Sequence, residues 1–191
     1  MNYLAHLFLS PEHPEQIVGN LMGDFVKGNK LDAFSDNVQR GIRLHRDIDR
    51  FTDKHQVVID LKHGLSPERK RFSGIISDVV FDHFLAKNWP EFNDISLKVF
   101  SLNCYKVLET YQPVMPEKMQ RMTSRMRQQN WLEGYEQTAS IGGALNGISK
   151  RIRFENKLYD AHLEIMPLYS DYQDAFFEFF PQLQQFVAER L

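Results

Sequence analysis

The chain has 191 residues, 42% of them hydrophobic and 25% charged, with a formal net charge of -2 and a mean hydropathy of -0.43. That is enough for one sizeable core, and it excludes disorder, collagen-like repeats, a membrane span and a general nucleic-acid binder, whose phosphate contacts leave a basic excess. A lone cysteine, Cys104, rules out an internal disulfide or a cysteine-based zinc or redox centre, so a reducing cytoplasm is expected.

Punctuation along the chain is that of helices. Residues 1–9 are mostly apolar, with no Lys or Arg ahead of the apolar positions and no small-residue cleavage site, so a short helix bearing His6 is expected rather than a secretory signal. Ser10-Pro11-Glu12-His13-Pro14 separates it from a helix near 14–27, which Gly28-Asn29 would end. Ser35-Asp36 is placed to cap a long helix through about residue 63. Gly64 followed by Ser66-Pro67-Glu68 reads as stop, cap and first-turn proline for a helix lasting to about Lys87. Further helical patterns cover roughly 94–111, 115–128, 131–150 and 156–190, the last expected to kink or break at Pro181. No run of alternating β-branched residues is present, and no linker or repeat divides the chain. The expected architecture is all-α, a single-domain multi-helix bundle over residues 1–191.

Residues three and four apart share a helix face, and three predicted helices carry ionisable groups within an apolar stripe. Val38, Ile42, His45, Asp49, Thr52, Gln56 and Ile59 form one; Ile75, Asp78, Val79, Asp82, Leu85 and Trp89 form a second; Ile17, Asn20, Leu21, Asp24 and Gly28 form a third. Gly19 and Gly23 thin another part of that last helix, so that a neighbour can approach closely. Buried charges need partners or a metal. Convergence of Asp24, His45, Asp49, Asp78, Asp82 and His6 would make a carboxylate and imidazole cluster of the kind that holds a metal inside helical bundles. Its mostly oxygen donors favour Mn²⁺, Mg²⁺ or Fe²⁺. The other reading of each pair is a hydrogen-bonded or salt-bridged face.

Charge is unevenly placed. Residues 38–71 hold nine Lys/Arg against five Asp/Glu, whereas residues 155–191 hold two against seven. Arg43, Arg46 and Arg50 run beside the ligand stripe at spacings that suit phosphate recognition or an ordinary solvated face. Lys118, Arg121, Arg125 and Arg127 interleave with Met115, Met119, Met122 and Met126, a pattern that fits either core packing or an acidic partner helix. The aromatic C-terminal segment, with Tyr172, Phe176, Phe179, Phe180, Leu183 and Phe186, is expected to close the core.

Taken together, Asn2-Tyr3-Leu4-Ala5-His6-Leu7, Gly19-Asn20-Leu21-Met22-Gly23-Asp24-Phe25-Val26-Lys27-Gly28, the segment Gly41-Ile42-Arg43-Leu44-His45-Arg46-Asp47-Ile48-Asp49 with Thr52-Asp53, and Asp78-Val79-Val80-Phe81-Asp82-His83-Phe84-Leu85 resemble the acyl carrier protein phosphodiesterase family. Trp131-Leu132, Tyr135 and Leu145-Asn146-Gly147 through Arg151 are similar in content and order. The resemblance implies a divalent-cation-dependent hydrolase, Mn²⁺ foremost, that removes the 4′-phosphopantetheine arm from an acidic acyl carrier protein. It also implies an HD-phosphohydrolase-like helical fold. The chain departs from the HD dyad, because its neighbouring pair is Asp82-His83 in reverse order and His45 precedes Arg46, so ligands are placed by the stripes instead. On this reading Asp24, His45, Asp78, Asp49, Asp82 and His6 hold one or two cations. Asp24, Asp82 or His83 orients the water or protonates the leaving serine oxygen, while Arg43, Arg46, Arg50, Arg121, Arg125 and Arg151 meet the phosphate or the acidic partner. The alternatives are an HD-like enzyme acting on a nucleotide or other small phosphoester, and a non-catalytic helical adaptor for an acidic protein. Nothing in the sequence sets an oligomeric state.

Overall fold

The computed structural model describes residues 1–191 and is all-helical: α1 (Tyr3–Phe8), α2 (Pro14–Met22), α3 (Asp36–Lys54), α4 (Gln56–Leu61), α5 (Ser73–Lys87), α6 (Leu97–Thr110), α7 (Glu117–Gln128), α8 (Trp131–Gly134), α9 (Ala139–Arg151), α10 (His162–Ile165) and α11 (Tyr169–Ala188), with short 3₁₀ turns between several of them. No helix is long and apolar enough to cross a membrane.

The buried hydrophobic residues form one contiguous cluster. Its densest part is aromatic: Phe81 and Phe84 of α5 pack against Phe176 and Phe179 of α11, with Phe180 stacked on Phe176. Each such ring contributes about 1.5–3 kcal/mol by leaving water. The C-terminal helix therefore closes the core, as its pattern predicts. The four interleaved methionines of the α7 region are all buried, so that stripe is core as well. Cys104 is buried, and desolvation pushes its thiol up to about 12, which leaves no thiolate at neutral pH.

Helices α2 and α3 make the most extensive contact between any two elements. A side chain at Gly19 would place its Cβ 2.2 Å from the Val38 carbonyl oxygen, and one at Gly41 would lie 2.3 Å from that of Gln16. Backbone therefore meets backbone at this crossing, the close approach expected at Gly19, and it brings the Asp24 end of α2 to the middle of α3.

Several predicted helices are shorter than their patterns. The 36–63 helix breaks at His55, which is extended (ψ 130°), because the ring leaves the helix line to pack edge-on to Phe179 at 5.0 Å. The shared stripe thus ends at Thr52. The segment after Pro67 takes a turn and a 3₁₀ step before α5 starts at Ser73, and the 131–150 and 156–190 patterns divide into α8 with α9 and α10 with α11. Pro181 does not break α11. It faces solvent within the helix, and the buried Phe179, Phe180, Leu183 and Val187 on either side outweigh the lost backbone bond.

Candidate metal centre

Asn20 sits in the apolar stripe of α2 and is fully buried. Its amide nitrogen donates to the His6 carbonyl and to Ser10 Oγ, both at 2.9 Å, so its Oδ1 must face His6 Nδ1, 3.0 Å away. His6 Nδ1 accordingly carries the proton, and Nε2 presents a lone pair. Burial, reinforced by the neighbouring His45, lowers the His6 pKa to about 4, so the ring is neutral at physiological pH. Its Nε2 has no hydrogen-bond partner, yet it lies 3.2 Å from Asp49 Oδ1.

The His45 ring stacks on that of His6, with centroids 4.0 Å apart and planes 19° from parallel. A side chain at Gly23 would put its Cβ 2.2 Å from the His45 ring, so Gly23 makes the room that lets the imidazole lie against the end of α2. His45 Nε2 is 3.0 Å from Asp49 Oδ2 and 3.4 Å from Asp24 Oδ1. Burial opposes the charged imidazolium, but the bonds to Asp24 and Asp49 outweigh it and raise His45 to about 9. The same contacts hold Asp24 and Asp49 below the usual carboxylate range against their own desolvation. In this state the two rings carry a single positive charge, held on His45.

His6, His45 and Asp49 offer ligand atoms within 4.8 Å of one another. Two imidazole nitrogens and a carboxylate, with Asp24 more than half exposed at the rim, suit a divalent cation. So does the buried His6 lone pair, which faces a carboxylate oxygen with no donor between them.

The remaining sequence candidates are not brought into this cluster. Asp82 is fully buried and accepts the backbone N–H groups of Leu4 (2.7 Å) and Ala5 (3.1 Å), capping α1. Desolvation raises it to about 7 against those two bonds. It thereby holds in place the helix that presents His6. Asp78 lies 2.7 Å from the Met1 amino group, which also stands 3.7 Å from Asp49. His83 turns the other way on α5: its Nδ1 meets the Tyr135 carbonyl and its Nε2 the Tyr169 hydroxyl, each at 2.7 Å. A hundred-degree offset from Asp82 on an ideal helix accounts for the divergence.

The arginines also part company. Arg43 donates to Gln39, Arg50 to Asp47, and Arg46 to the carbonyls of Val26 (3.0 Å) and Gly28 (2.8 Å), so the α3 set is engaged within the chain rather than turned to a ligand pocket at the cluster. Arg121, Arg125 and Arg151 converge with Lys118 around a groove of about 280 Å³ that includes Tyr3 and Phe25, the latter adjacent to Asp24. Arg121 pairs with Glu117, and Arg151 lies over the Trp131 ring at 5.8 Å.

A family profile described as acyl carrier protein phosphodiesterase matches residues 1–183. The chain belongs to the acyl carrier protein phosphodiesterase family. Relatives bearing that name include one from Photorhabdus laumondii, 35% identical over 97% of this chain and 94% of its own length. Others from Serratia proteamaculans and Escherichia coli are 32% and 30% identical over the full chain and 99% of their own lengths. No solved structure gives a significant match. The phosphodiesterase activity that the family name carries agrees with the enzyme reading of the sequence, and the stacked histidines with Asp49 are where this family member concentrates groups able to do such chemistry. Asn20, which fixes the His6 tautomer, is a functional residue that the site-residue pattern of the sequence leaves out, and its place in an apolar stripe is the signal that marks it.

Proposed function

We propose that the chain is a divalent-cation-dependent phosphodiesterase. It cleaves the bond between the serine oxygen of holo acyl carrier protein and phosphorus, releasing 4′-phosphopantetheine and the apo protein in the cytoplasm. The observation that carries this reading is the unprotonated, buried His6 Nε2 facing Asp49, an arrangement that a cation resolves and a hydrogen-bonded adaptor core does not. His6, His45 and Asp49 would hold the ion with Asp24 at its open side, and Mn²⁺ fits the mixed nitrogen and oxygen donors, with Mg²⁺ and Fe²⁺ as alternatives. A bound divalent cation supplies Lewis-acid stabilisation of phosphoryl charge and a lowered pKa for water.

The chain's own residues do the rest. Asn20 and Asp82 fix His6, the first by its tautomer and the second by capping the helix that bears it. Asp24, ionised and exposed at the rim, accepts a proton from the attacking water and returns it to the leaving serine oxygen, so that water adds across the broken oxygen–phosphorus bond. Arg151, across Tyr3 from the cluster, faces the phosphate, and Lys118, Arg121 and Arg125 meet the acidic carrier protein.

The test is a mass measurement on purified holo acyl carrier protein incubated with the enzyme and Mn²⁺, with and without chelator. Loss of the 4′-phosphopantetheine mass is expected only with free metal, and Asp49→Ala is expected to lower the rate by about 100-fold or more while remaining helical. Cleavage that continues in chelator, or in Asp49→Ala at the wild-type rate, would overturn the assignment.

A further inference from the structure

A second groove, of about 370 Å³, runs between the start of α1, α8 and α9, at the lower end of the roughly 300–1,000 Å³ typical of small-molecule sites. Its walls are Tyr3, Trp131, Ala144 and Ile148. Its floor is left open by Gly143 and Gly147, four residues apart on one face of α9, where an added Cβ would meet nothing within 4 Å.

Among these apolar walls stand a few fixed polar groups. Tyr135 is 4% exposed and held at both ends: its carbonyl accepts from His83 Nδ1 at 2.7 Å and its hydroxyl accepts from Asn2 Nδ2 at 2.9 Å. The hydroxyl's own proton is then left for a ligand. Gln129 accepts from the Trp131 indole N–H at 2.9 Å, which leaves its amide N–H groups for the same purpose. Charge is confined to one end. Arg151, with Tyr3 and Trp131, lines both this groove and the basic one, so these three side chains form the divide between them. Tyr3 lies one helical turn before His6, and Phe25 on the basic side follows Asp24, which sets the metal cluster beside that divide.

We infer that this groove receives the pantetheine arm of the substrate, leaving the scissile phosphate at the Tyr3, Trp131 and Arg151 divide and the carrier protein over the basic groove. The inference rests on the proposed reaction and names where one half of its substrate lies. The match is chemical: a flexible, uncharged chain with two amides, a hydroxyl and a terminal thiol, whose gem-dimethyl carbon lies beside its only anionic group, needs a trough with apolar walls, scattered donors and acceptors and a cation at one mouth. A nucleotide is the rival occupant, since Tyr3 and Trp131 could stack a base.

Trp131 is half-buried and lines the groove, whereas Trp89, the other tryptophan, is 2% exposed and packed on Phe8 and Phe100, so emission changes report on the groove. Titration with 4′-phosphopantetheine is expected to change Trp131 emission saturably, and adenosine monophosphate is expected not to compete. Gly147→Leu, whose side chain fills the trough, is expected to weaken 4′-phosphopantetheine binding and to raise KM for holo acyl carrier protein, each by about tenfold, with a smaller change in kcat. Helicity and Mn²⁺ affinity should match the wild type, and Gly147→Ala should give a smaller shift of the same sign. Wild-type binding and KM in Gly147→Leu, or equal competition by the nucleotide, would overturn the inference while leaving cleavage by the native enzyme intact. Binding of 4′-phosphopantetheine by a native chain that does not cleave would keep the groove and remove the proposed reaction. Neither binding nor cleavage would remove both.

Discussion

The arginines of α3 and those of α7 and α9 look alike in the sequence and do different work in the fold. Arg43, Arg46 and Arg50, like Arg121 and Arg125, recur at three- and four-residue spacing beside apolar stripes, yet the α3 side chains donate to Gln39, to the 26–28 carbonyls and to Asp47, whereas Arg121, itself paired with Glu117, joins Arg125 and, from α9, Arg151 around a groove beside Tyr3. Helical spacing says which side chains share a face. What stands opposite that face depends on how the next helix crosses: Arg50 borders a groove too, but one lined by α3, α4 and α11 rather than by Tyr3 and Phe25, so the two sets differ above all in which part of the molecule they face.

The comparison breaks most readily under charge reversal. Arg121→Glu with Arg125→Glu is expected to lower kcat/KM for holo acyl carrier protein by about 100-fold at low salt, mostly through KM, and to flatten its salt dependence. Arg43→Glu with Arg50→Glu is expected to stay within about threefold, because no groove at the cluster is built from those residues. Steady-state kinetics across a salt series checks both. A larger loss in the α3 pair would mean that the carrier protein docks over α3 and that the two faces have been assigned the wrong way round.

Arg46 sharpens the contrast from the stability side. Its Nη2 spans two carbonyls in the loop that follows Asp24, so Arg46→Ala is expected to cost about 2 kcal/mol in urea unfolding, the range for hydrogen bonds from a charged donor. Arg125→Ala, which removes no bond within the chain, should leave the midpoint unchanged. Equal destabilisation by the two would erase the distinction between an arginine engaged in the fold and one left for a ligand.

This division also marks how far the sequence could be read. The patterns expected over 36–63, 68–87 and 94–111 contain the helices found at Asp36–Lys54, Ser73–Lys87 and Leu97–Thr110, and Ser35 caps the first as expected, its side chain accepting from Val38 N, whereas Ser66-Pro67-Glu68 does not cap α5, which starts at Ser73. The break at His55 has no glycine or proline beside it; ring packing against Phe179 decides it, and that contact joins residues far apart in the chain. At the candidate metal centre, His45, Asp49 and Asp24 stand out in the sequence as ionisable groups in apolar stripes, and His6 only as a residue of the short N-terminal helix. The stripe reported that Asp82 is buried without reporting what satisfies it, and two backbone N–H groups on α1 do so as well as a cation would. Partners of that kind carry no side-chain signature.

Glu164 on α10 is a carboxylate engaged within the chain, and it gives the smallest and most pH-specific effect. It accepts from the backbone and hydroxyl of Ser66 and from Arg69, tying down the turn between α4 and α5. Burial alone would raise its pKa, but those bonds win and hold it below its ordinary value of 4.5. The unfolded chain therefore takes up the proton more readily than the folded one. The resulting stability is complete above about pH 4.5 and drains away as pH falls through the lower folded value. Glu164→Gln is expected to cost about 1 kcal/mol at pH 7, with the gap to the wild type narrowing on acidification and turnover at neutral pH within about twofold. Urea midpoints of both proteins at pH 7, 5 and 4 read this directly. A gap that stays constant or widens as the pH drops would show that the Ser66 and Arg69 contacts do not depend on the ionised carboxylate. A fall in turnover larger than the fall in stability would couple this turn to the candidate metal centre, so that charges holding the fold would not be separate from those proposed to meet the substrate.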